Sequence, residues 1–259
     1  MQLIKNLWQY KELFYFLSLR DLKVRYRQAI LGIAWALISP IVLAIVFWFI
    51  FGLFLKIHSG PTPYLLLIFT RLTFWNFFSQ TVSSSATSVT SNSNLVLKSY
   101  FPREILVFSP IVVRLVDLAS SFIVLILLMV FYKIGISFNV LWIIPILLLE
   151  VLLISAFALI FSSLNVYFKD VSAFLPLLMT AWLFATPIIY SIEKIPQQYQ
   201  KILFLNPMTG IVEGIKSSLL LKSPPDFLPL SFSLVITIAL FLIGYVLFKK
   251  LEKNFADVI

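Results

Sequence analysis

Four basic side chains in one short segment could do chemistry: Arg20, Lys23, Arg25 and Arg27. A guanidinium group presents paired N–H donors in a plane that matches phosphate oxygens. Two interpretations are open. The cluster either sets membrane topology and touches lipid headgroups, or it binds a phosphate ligand through Arg20, Arg25 and Arg27 together with Tyr26.

The sequence offers little for catalysis. None of the seven glycines begins a G-x-x-x-x-G-K-[ST] match, so the chain has no loop of that kind to hold nucleotide phosphates. The only histidine, His58, has no carboxylate near it in sequence, and we interpret it as a surface residue. Cysteine is absent, which excludes disulfides and thiolate metal sites. We therefore predict no catalytic residue, metal site or cofactor in this chain.

The elements that position the basic cluster are membrane helices. Hydrophobic residues make up 61% of the chain and the mean hydropathy is +1.01, outside the range of soluble domains. The cluster runs into 27 uncharged residues, 29–55, whereas roughly 20 apolar residues cross a bilayer. That run is too long for a signal peptide, so we predict a retained span. The net charge of +9 then reflects cytoplasmic loops, and we expect no nucleic-acid partner.

The uncharged runs predict an all-α integral membrane fold with six transmembrane helices. The predicted spans are residues 29–55, 64–87, 105–132, 140–166, 174–190 and 229–248. Six spans place both termini on the same side of the membrane. The segments on that side carry twelve of the twenty Lys and Arg residues, which favours cytoplasmic termini.

Residues 1–28 form a separate unit in this prediction, ahead of the six-span region 29–259. Apolar residues recur there at spacings of four and three, at Leu3, Leu7, Tyr10, Phe14 and Leu17. That period is typical of an amphipathic helix lying at the membrane interface.

The outer segment 191–228 is long and interrupted by prolines. Apolar residues at helical spacing lie on either side of Asn206 and Pro207. We predict two short helices broken at that dipeptide, which dip into or lie on the outer interface because neither is long enough to span.

The inner segment 88–104 places Leu95, Tyr100 and Phe101 before Pro102. The proline favours an extended residue before it and a sharp return into the next span. Two interpretations are open: a short helix with exposed leucine and aromatic side chains that docks into a soluble partner, or a loop whose apolar residues rest on lipid headgroups.

Charged residues also lie within the predicted spans, where ionised groups are costly. Arg114 and Asp117 are three residues apart, a spacing that allows them to pair. Glu150 and Arg71 have no local partner. They could pair with another helix, line a wet cavity or reach towards the interface.

Three stretches of the sequence resemble one known family. They are RDLKVRYRQAILGIAWALISP, NLVLKSYFPREI and LNPMTGIVEGIK, in this order. They are similar to the membrane subunits of ABC-2 type exporters of the O-antigen, capsule and teichoic acid group. The resemblance implies a homodimer in the bacterial inner membrane that exports a lipid-linked polysaccharide with two copies of a separate ATP-binding subunit. ATP and magnesium would bind to that partner. Arg71 departs from the family pattern, in which a small residue is more usual.

The resemblance also implies roles for the segments above. The inner segment would couple transport to the ATPase through Asn94, Leu95, Lys98, Tyr100, Phe101, Pro102, Arg103 and Glu104. Asn206 and Pro207 would belong to an outer gate. With such a substrate, the phosphate interpretation of Arg20, Arg25, Tyr26 and Arg27 becomes binding of its pyrophosphate, and the topology interpretation stays open beside it.

An aromatic conduit is a further expectation. Aromatic faces contact sugar C–H groups without a fixed hydrogen-bond pattern, so a series of rings could pass a repeating polymer. The candidate rings are Phe47, Trp48, Phe51, Trp75, Phe78, Trp182 and Tyr190. For any single ring, packing against a neighbouring helix or lipid is the other interpretation.

Three alternative functions are open. Within the exporter class, the cargo could be teichoic acid, capsule or another lipid. A channel or secondary transporter would move a solute without an ATPase, but the sequence has neither paired half-sequences nor a series of intramembrane acids. A membrane transferase would need a base or metal site near the interface, and the sequence offers no acidic pair in a loop.

Overall fold

The computed structural model describes residues 2–27, 34–54 and 62–258. Within these ranges the chain is helical and contains no strand, so the predicted all-α fold is confirmed. Residues 28–33 and 55–61, including His58, lie outside them, and so does the side chain of Arg27. The α-helices are α1 (Gln2–Gln9), α2 (Lys11–Arg27), α3 (Ala34–Phe47), α4 (Tyr64–Ala86), α5 (Ser88–Ser91), α6 (Ser93–Lys98), α7 (Glu104–Phe131), α8 (Ile143–Tyr167), α9 (Asp170–Ala185), α10 (Gln197–Leu203), α11 (Pro207–Ile215), α12 (Phe227–Leu251) and α13 (Phe255–Val258). Short 3-10 helices span Phe138–Trp142, Ile192–Lys194 and Glu252–Asn254, and wider π-helical turns span Trp48–Phe54 and Lys216–Leu220.

The central helix is α4, which packs against α3, α7, α8, α9 and α11. Most of its side chains are buried, although many are polar. The hydroxyl of Thr70 donates to Leu66 O at 2.8 Å, and that of Thr73 donates to Phe69 O at 2.9 Å. Because such hydroxyls bond within their own helix, α4 can carry polar residues in an apolar interior.

Among the residues that the structure describes, three helical segments are long and apolar enough to cross a membrane: Glu104–Phe131, Phe138–Tyr167 and Phe227–Val258. They coincide with the third, fourth and sixth predicted spans. Two shorter apolar helices, Pro40–Phe54 and Asp170–Ala185, overlap with the first and fifth. The second predicted span coincides with α4, which is less apolar. The complete six-span arrangement stays a prediction.

The fifth span departs from its prediction at both ends, because α9 runs from Asp170 to Ala185 rather than over residues 174–190. Thr186 has extended backbone, with φ −101° and ψ 141°. It precedes Pro187, and a residue before proline is driven out of the helical region. The turns and bends that follow leave backbone carbonyls free to accept hydrogen bonds from α4.

The N-terminal segment consists of α1 and α2, and α2 packs along α7. The chain leaves regular helix at Tyr10, between the two. Leu7, Tyr10 and Phe14 pack against the apolar core, and Leu17 is buried in it. The apolar face of this segment therefore rests on the helices behind it.

Candidate functional site

Asp117 of α7 is the centre of a polar site between α2 and α7. Arg25 Nη2 lies 2.9 Å from Asp117 Oδ2, and Arg114 Nη1 lies 3.2 Å from the same oxygen. The hydroxyl of Tyr26 donates to Asp117 Oδ1. The pairing of Arg114 with Asp117 that the sequence predicts is confirmed. Two of the predicted phosphate ligands, Arg25 and Tyr26, meet at that same carboxylate.

Tyr26 is a neutral donor in this site. Burial first, and the hydrogen bond to Asp117 second, raise the pKa of the Tyr26 hydroxyl above its ordinary value of 10.0. The phenol therefore keeps its proton at neutral pH. Its O–H group can donate a hydrogen bond to a carboxylate or, in place of the carboxylate, to a phosphate oxygen.

Arg20 and Asp21 fix the preceding turn of α2. Arg20 Nη2 lies 2.7 Å from Asp21 Oδ1 and donates to Asn92 Oδ1 at 2.8 Å. The hydroxyl of Ser109 donates to Asp21 Oδ2 at 2.9 Å. These bonds tie α2 to α7 and to the residue that follows α5, so Arg20 and Arg25 border the same cleft.

That cleft has a volume of about 420 Å³, and Arg114 is its third guanidinium. A smaller cavity of about 150 Å³ shares Arg25 and Arg114 with it and reaches Asp117. Among the described residues that line these spaces, three guanidinium groups against the carboxylates of Asp21 and Asp117 leave one excess positive charge, which favours an anion. We name the two spaces together the arginine cleft.

Arg114 is a member of the arginine cleft that sequence reasoning missed. Its spacing from Asp117 indicates a helix-surface pair but not which helix faces it. A hydrogen bond from Arg114 Nη2 to Ser84 Oγ, at 2.8 Å, places its guanidinium against α4. Lys23, in contrast, is exposed on α2 and lines neither space.

The inner segment forms α5 and α6 and then an extended Ser99. Tyr100 is 91% exposed, with the guanidinium of Arg103 over its ring at 5.8 Å. Leu97 is also exposed, as are Asn94 and Lys98. These side chains form a mixed apolar and basic surface, whereas Leu95 is half-buried.

The docking interpretation requires exposed aromatic side chains, and Phe101 does not fit it, because its ring is only 5% exposed. Glu104 is buried as well and forms an ion pair with Lys249 of α12. The chain is extended at Ser99, and successive side chains of an extended segment point to opposite sides, so one ring packs into the core while its neighbour faces outward. Tyr100 and Leu97 are therefore the available apolar contacts.

The last helices of the described chain pack against the inner segment. Phe255 is fully buried, with its ring 5.6 Å from that of Phe248 and 6.3 Å from that of Tyr167. The helix that carries Phe255, α13, packs against α6 and α8. Lys249 also lies 2.8 Å from Glu252, so this end is held by both packing and charge.

On the opposite end of the bundle, Asn206 joins two helices. Its Oδ1 accepts from the backbone N–H of Met208 at 3.0 Å, which caps α11, and from Trp182 Nε1 at 3.0 Å. Its amide Nδ2 donates to Thr186 Oγ1 at 2.8 Å. With Pro207 at the first helical position, the predicted break at this dipeptide is present. A role as gate stays a prediction.

Of the three interpretations open for Arg71, the structure shows pairing with another helix. It is 1% exposed and forms an ion pair with Glu213 of α11. Its Nη1 donates to Tyr190 O at 3.0 Å and to Ile188 O at 3.3 Å. Lys216 Nζ lies 3.1 Å from Glu213 Oε2, so two cations share this buried carboxylate. The group fastens the outer segment to α4.

The structure divides the predicted aromatic conduit into separate groups. Trp182 contacts Phe78, with ring centres 5.2 Å apart, and Trp75 at 6.3 Å. Phe157 of α8, which sequence reasoning did not select, lies 5.1 Å from Trp182. Trp75 and Phe78 are buried within the single chain, as a packing role requires.

The remaining conduit candidates lie elsewhere. The rings of Phe47 and Phe51 are 5.7 Å apart, and both pack with Trp48 against the core. The hydroxyl of Tyr190 donates to Phe184 O at 3.2 Å. No ring contact joins these residues to the Trp182 group within the described ranges, and a conduit role stays a prediction.

Glu150 of α8 is fully buried. Among the described residues, neither of its carboxylate oxygens has a hydrogen-bond partner. Of the three interpretations open for Glu150, pairing with another helix is thus not seen in the described part of the chain.

The chain is similar to known membrane transport proteins. Residues 12–220 match the family model described as ABC-2 type transporter. The chain is 27% identical to the O-antigen export system permease protein RfbA of Klebsiella pneumoniae, over 98% of this chain and 97% of that protein. It is 26% identical to the protein of the same name from Myxococcus xanthus, over 99% of each. The polysialic acid transport protein KpsM of Escherichia coli is 21% identical, over 92% of each chain.

Proposed function

The chain belongs to the ABC-2 type transporter family, and we propose that it is the transmembrane subunit of an ATP-driven exporter of lipid-linked, O-antigen-like polysaccharide. The observation that carries this proposal is similarity along almost the whole chain to O-antigen export permeases. Capsular polysaccharide is the second candidate cargo, favoured by the weaker similarity to KpsM. The protein would lie in the bacterial inner membrane with six spans and both termini in the cytoplasm.

The arginine cleft is the proposed site for the pyrophosphate of the lipid carrier. Phosphate oxygens suit the paired donors of Arg25 and Arg114, and the hydroxyl of Tyr26 adds a neutral donor. Asp117 occupies these donors in the described structure. An incoming pyrophosphate would compete with Asp117 for the same N–H groups.

Competition at Asp117 would also move α2. Both Arg25 and Tyr26 belong to α2, and Asp117 belongs to α7, so these bonds help to hold α2 against the bundle. A ligand that draws the arginine away from Asp117 weakens this attachment. The surface helix can then open a lateral path for the lipid anchor.

The energy for transport would come from a separate ATP-binding subunit, because the sequence has no nucleotide-binding loop of its own. Tyr100 and Leu97 would enter a groove of that subunit, as exposed helical anchors do in other complexes. Lys98 and Arg103 add positive charge beside them. ATP and magnesium would bind only to the partner.

Two copies of the chain would enclose the conduit, and two copies of the ATPase would act on it. The outer gate would be formed by α10 and α11, held by Asn206 and by the ion pair of Arg71 with Glu213. Movement of the inner segment can reach this gate through α4, which contacts α5 at one end and α11 at the other. Because α4 is a continuous and largely buried helix, a shift at its inner end would be transmitted along its length.

Affinity purification from native membranes tests this proposal. We expect an ATP-binding protein to accompany the wild-type chain in equal amount, and Tyr100→Ala to release it. Tyr199→Ala is the matched control, because Tyr199 is an exposed tyrosine of α10 at the other end of the protein. Purification of the chain alone, with unaided movement of solute in liposomes, would instead establish a channel or gradient-driven carrier.

A further inference from the structure

One face of α4 carries a continuous stripe of polar side chains. Thr73, Asn76, Gln80 and Ser84 are separated by three, four and four residues, so they lie one above another on the helix. Thr73, Asn76 and Gln80 line the smaller space of the arginine cleft, and Ser84 lines the larger one. The stripe therefore faces the same space as Arg25 and Arg114.

The amides and the hydroxyls in this stripe differ in their hydrogen bonding. Thr73 donates to Phe69 O at 2.9 Å and Ser84 to Gln80 O at 2.8 Å, so both hydroxyls are satisfied within α4. The side-chain amides of Asn76 and Gln80 have no hydrogen-bond partner among the described residues. Gln80 is exposed and Asn76 is half-buried beside the cavity.

An unpaired amide at membrane depth is costly in contact with lipid, because hydrocarbon cannot satisfy its donors and acceptor. With a rise of about 1.5 Å per residue, Asn76 lies roughly 18 Å along α4 from Tyr64, within the thickness of the bilayer. Because they line the cleft, the two amides are placed to meet water or a polar ligand there. Each offers two donors and one acceptor, which matches the mixed donor and acceptor character of a hydroxyl group.

The stripe is aligned with the guanidinium groups. Arg114 donates to Ser84 Oγ at 2.8 Å, so its guanidinium lies at the level of Ser84. At about 1.5 Å per residue, Gln80 lies about 6 Å and Asn76 about 12 Å further along α4, in the direction of its first residue. A ligand with its phosphates on Arg25 and Arg114 would place the next groups beside these amides.

We propose that Asn76 and Gln80 form a subsite for hydroxyl groups of the first sugars that are attached to the pyrophosphate. This inference rests on the proposed function, which supplies a substrate with sugars joined to phosphate. The arginines hold the phosphates, and the amides read the sugars beside them. The subsite distinguishes a sugar-bearing lipid from the bare lipid pyrophosphate, which the arginines alone do not.

Binding to the full-length chain in lipid nanodiscs tests the subsite. Two probes are compared: a polyprenyl pyrophosphate, and the same molecule carrying a hexose disaccharide. The test variant is Asn76→Leu with Gln80→Met, which keeps side-chain size and helix-forming residues. The control is Thr81→Val, a buried position of α4 whose hydroxyl bonds to Phe77 O inside the helix and which does not line the cleft.

We expect the wild type and Thr81→Val to bind the disaccharide probe more tightly than the bare probe. The double variant should bind the bare probe as the wild type does and lose about 10-fold in affinity for the disaccharide probe, the effect of one or two lost hydrogen bonds. If the double variant binds neither probe, the single variants Asn76→Leu and Gln80→Met are used to test whether the amides carry the preference for the disaccharide probe. Each should lose part of the preference alone.

The subsite is overturned if variants that still bind the bare probe keep the full preference for the disaccharide. It is also overturned if the wild type binds both probes equally, and the arginine cleft then still stands. A wild type that binds neither probe overturns the proposed lipid-pyrophosphate site and the subsite together. The three results are thus distinguishable.

Discussion

The indole N–H of Trp182 donates to Oδ1 of Asn206 at 3.0 Å, which ties the end of α9 to the first turn of α11. The same oxygen caps α11 by accepting from Met208 N. One amide thus stabilises both the start of a short outer helix and its attachment to the bundle. Any movement of the outer segment must break or carry this bond.

Replacing Asn206 should loosen the outer segment. Asn206→Ala removes the cap, worth about 1 kcal/mol, and leaves the Trp182 N–H without its partner, which costs about another 1–3 kcal/mol where it is shielded from water. Thermal unfolding in detergent measures the loss. Thr186→Val is the matched control, because it removes one acceptor of the Asn206 amide at nearly constant side-chain size, keeps the cap and the Trp182 bond, and should cost less. Equal stability of Asn206→Ala and the wild type would contradict the capping role.

The buried charges around Glu213 predict an asymmetry. Arg71→Met leaves Glu213 paired with Lys216, whereas Glu213→Gln leaves the Arg71 cation buried with only carbonyl acceptors. Removing one partner of a buried pair costs about 3–5 kcal/mol when the other is left uncompensated. We therefore expect Glu213→Gln to lower the unfolding temperature more than Arg71→Met does. The double variant should cost less than the sum of the two. A lower unfolding temperature for Arg71→Met than for Glu213→Gln would contradict the sharing of Glu213 between Arg71 and Lys216.

Tyr100 and Phe101 should separate coupling from stability. Tyr100→Ala should leave the unfolding temperature unchanged, because the ring is exposed and packs against little of the chain. It should abolish stimulation of the partner's ATPase, because the same exposed ring is the proposed contact. Phe101→Ala should destabilise the protein by about 3–5 kcal/mol, because it empties a core position. Unfolding temperature and ATPase rate are measured on the same preparations. Normal ATPase stimulation in Tyr100→Ala would exclude it as a coupling contact.

Asp117 should weaken the binding of anions to the arginine cleft. Asp117→Asn removes the carboxylate that competes for Arg25 and Arg114, so we expect roughly 10-fold tighter binding of a polyprenyl pyrophosphate. Arg114→Met should reduce the same affinity, and the affinity should fall as salt is raised. Lys23→Met serves as control, since Lys23 is a basic residue of α2 outside the cleft. Unchanged affinity in both cleft variants would place the phosphate elsewhere.

Local sequence patterns predicted the features that depend on neighbouring residues. The break at Asn206 and Pro207 follows from the proline, and the pair of Arg114 with Asp117 follows from helical spacing. The all-α fold follows from composition and from the uncharged runs. Each of these can be derived within one helix or one turn.

Contacts between distant helices could not be predicted in this way. Arg71 and Glu213 are far apart in sequence, and nothing local to either residue indicates the other. Tyr100 and Phe101 are both aromatic, so only the way this segment lies against the helices decides which ring is buried. Phe157 was missed because its role depends on the neighbouring α9 and α4, which bring Trp182 and Phe78 to it.

The most direct test of the exporter function is ATP-driven translocation in proteoliposomes. The chain and its co-purified ATP-binding partner are reconstituted with a lipid-linked polysaccharide, and the fraction of polymer protected from an added glycosidase is measured. We predict that protection appears only with ATP, persists in Lys23→Met and is lost in a variant that combines Arg25→Met with Arg114→Met. Protection without ATP, or equal protection in the arginine variant, would contradict the account.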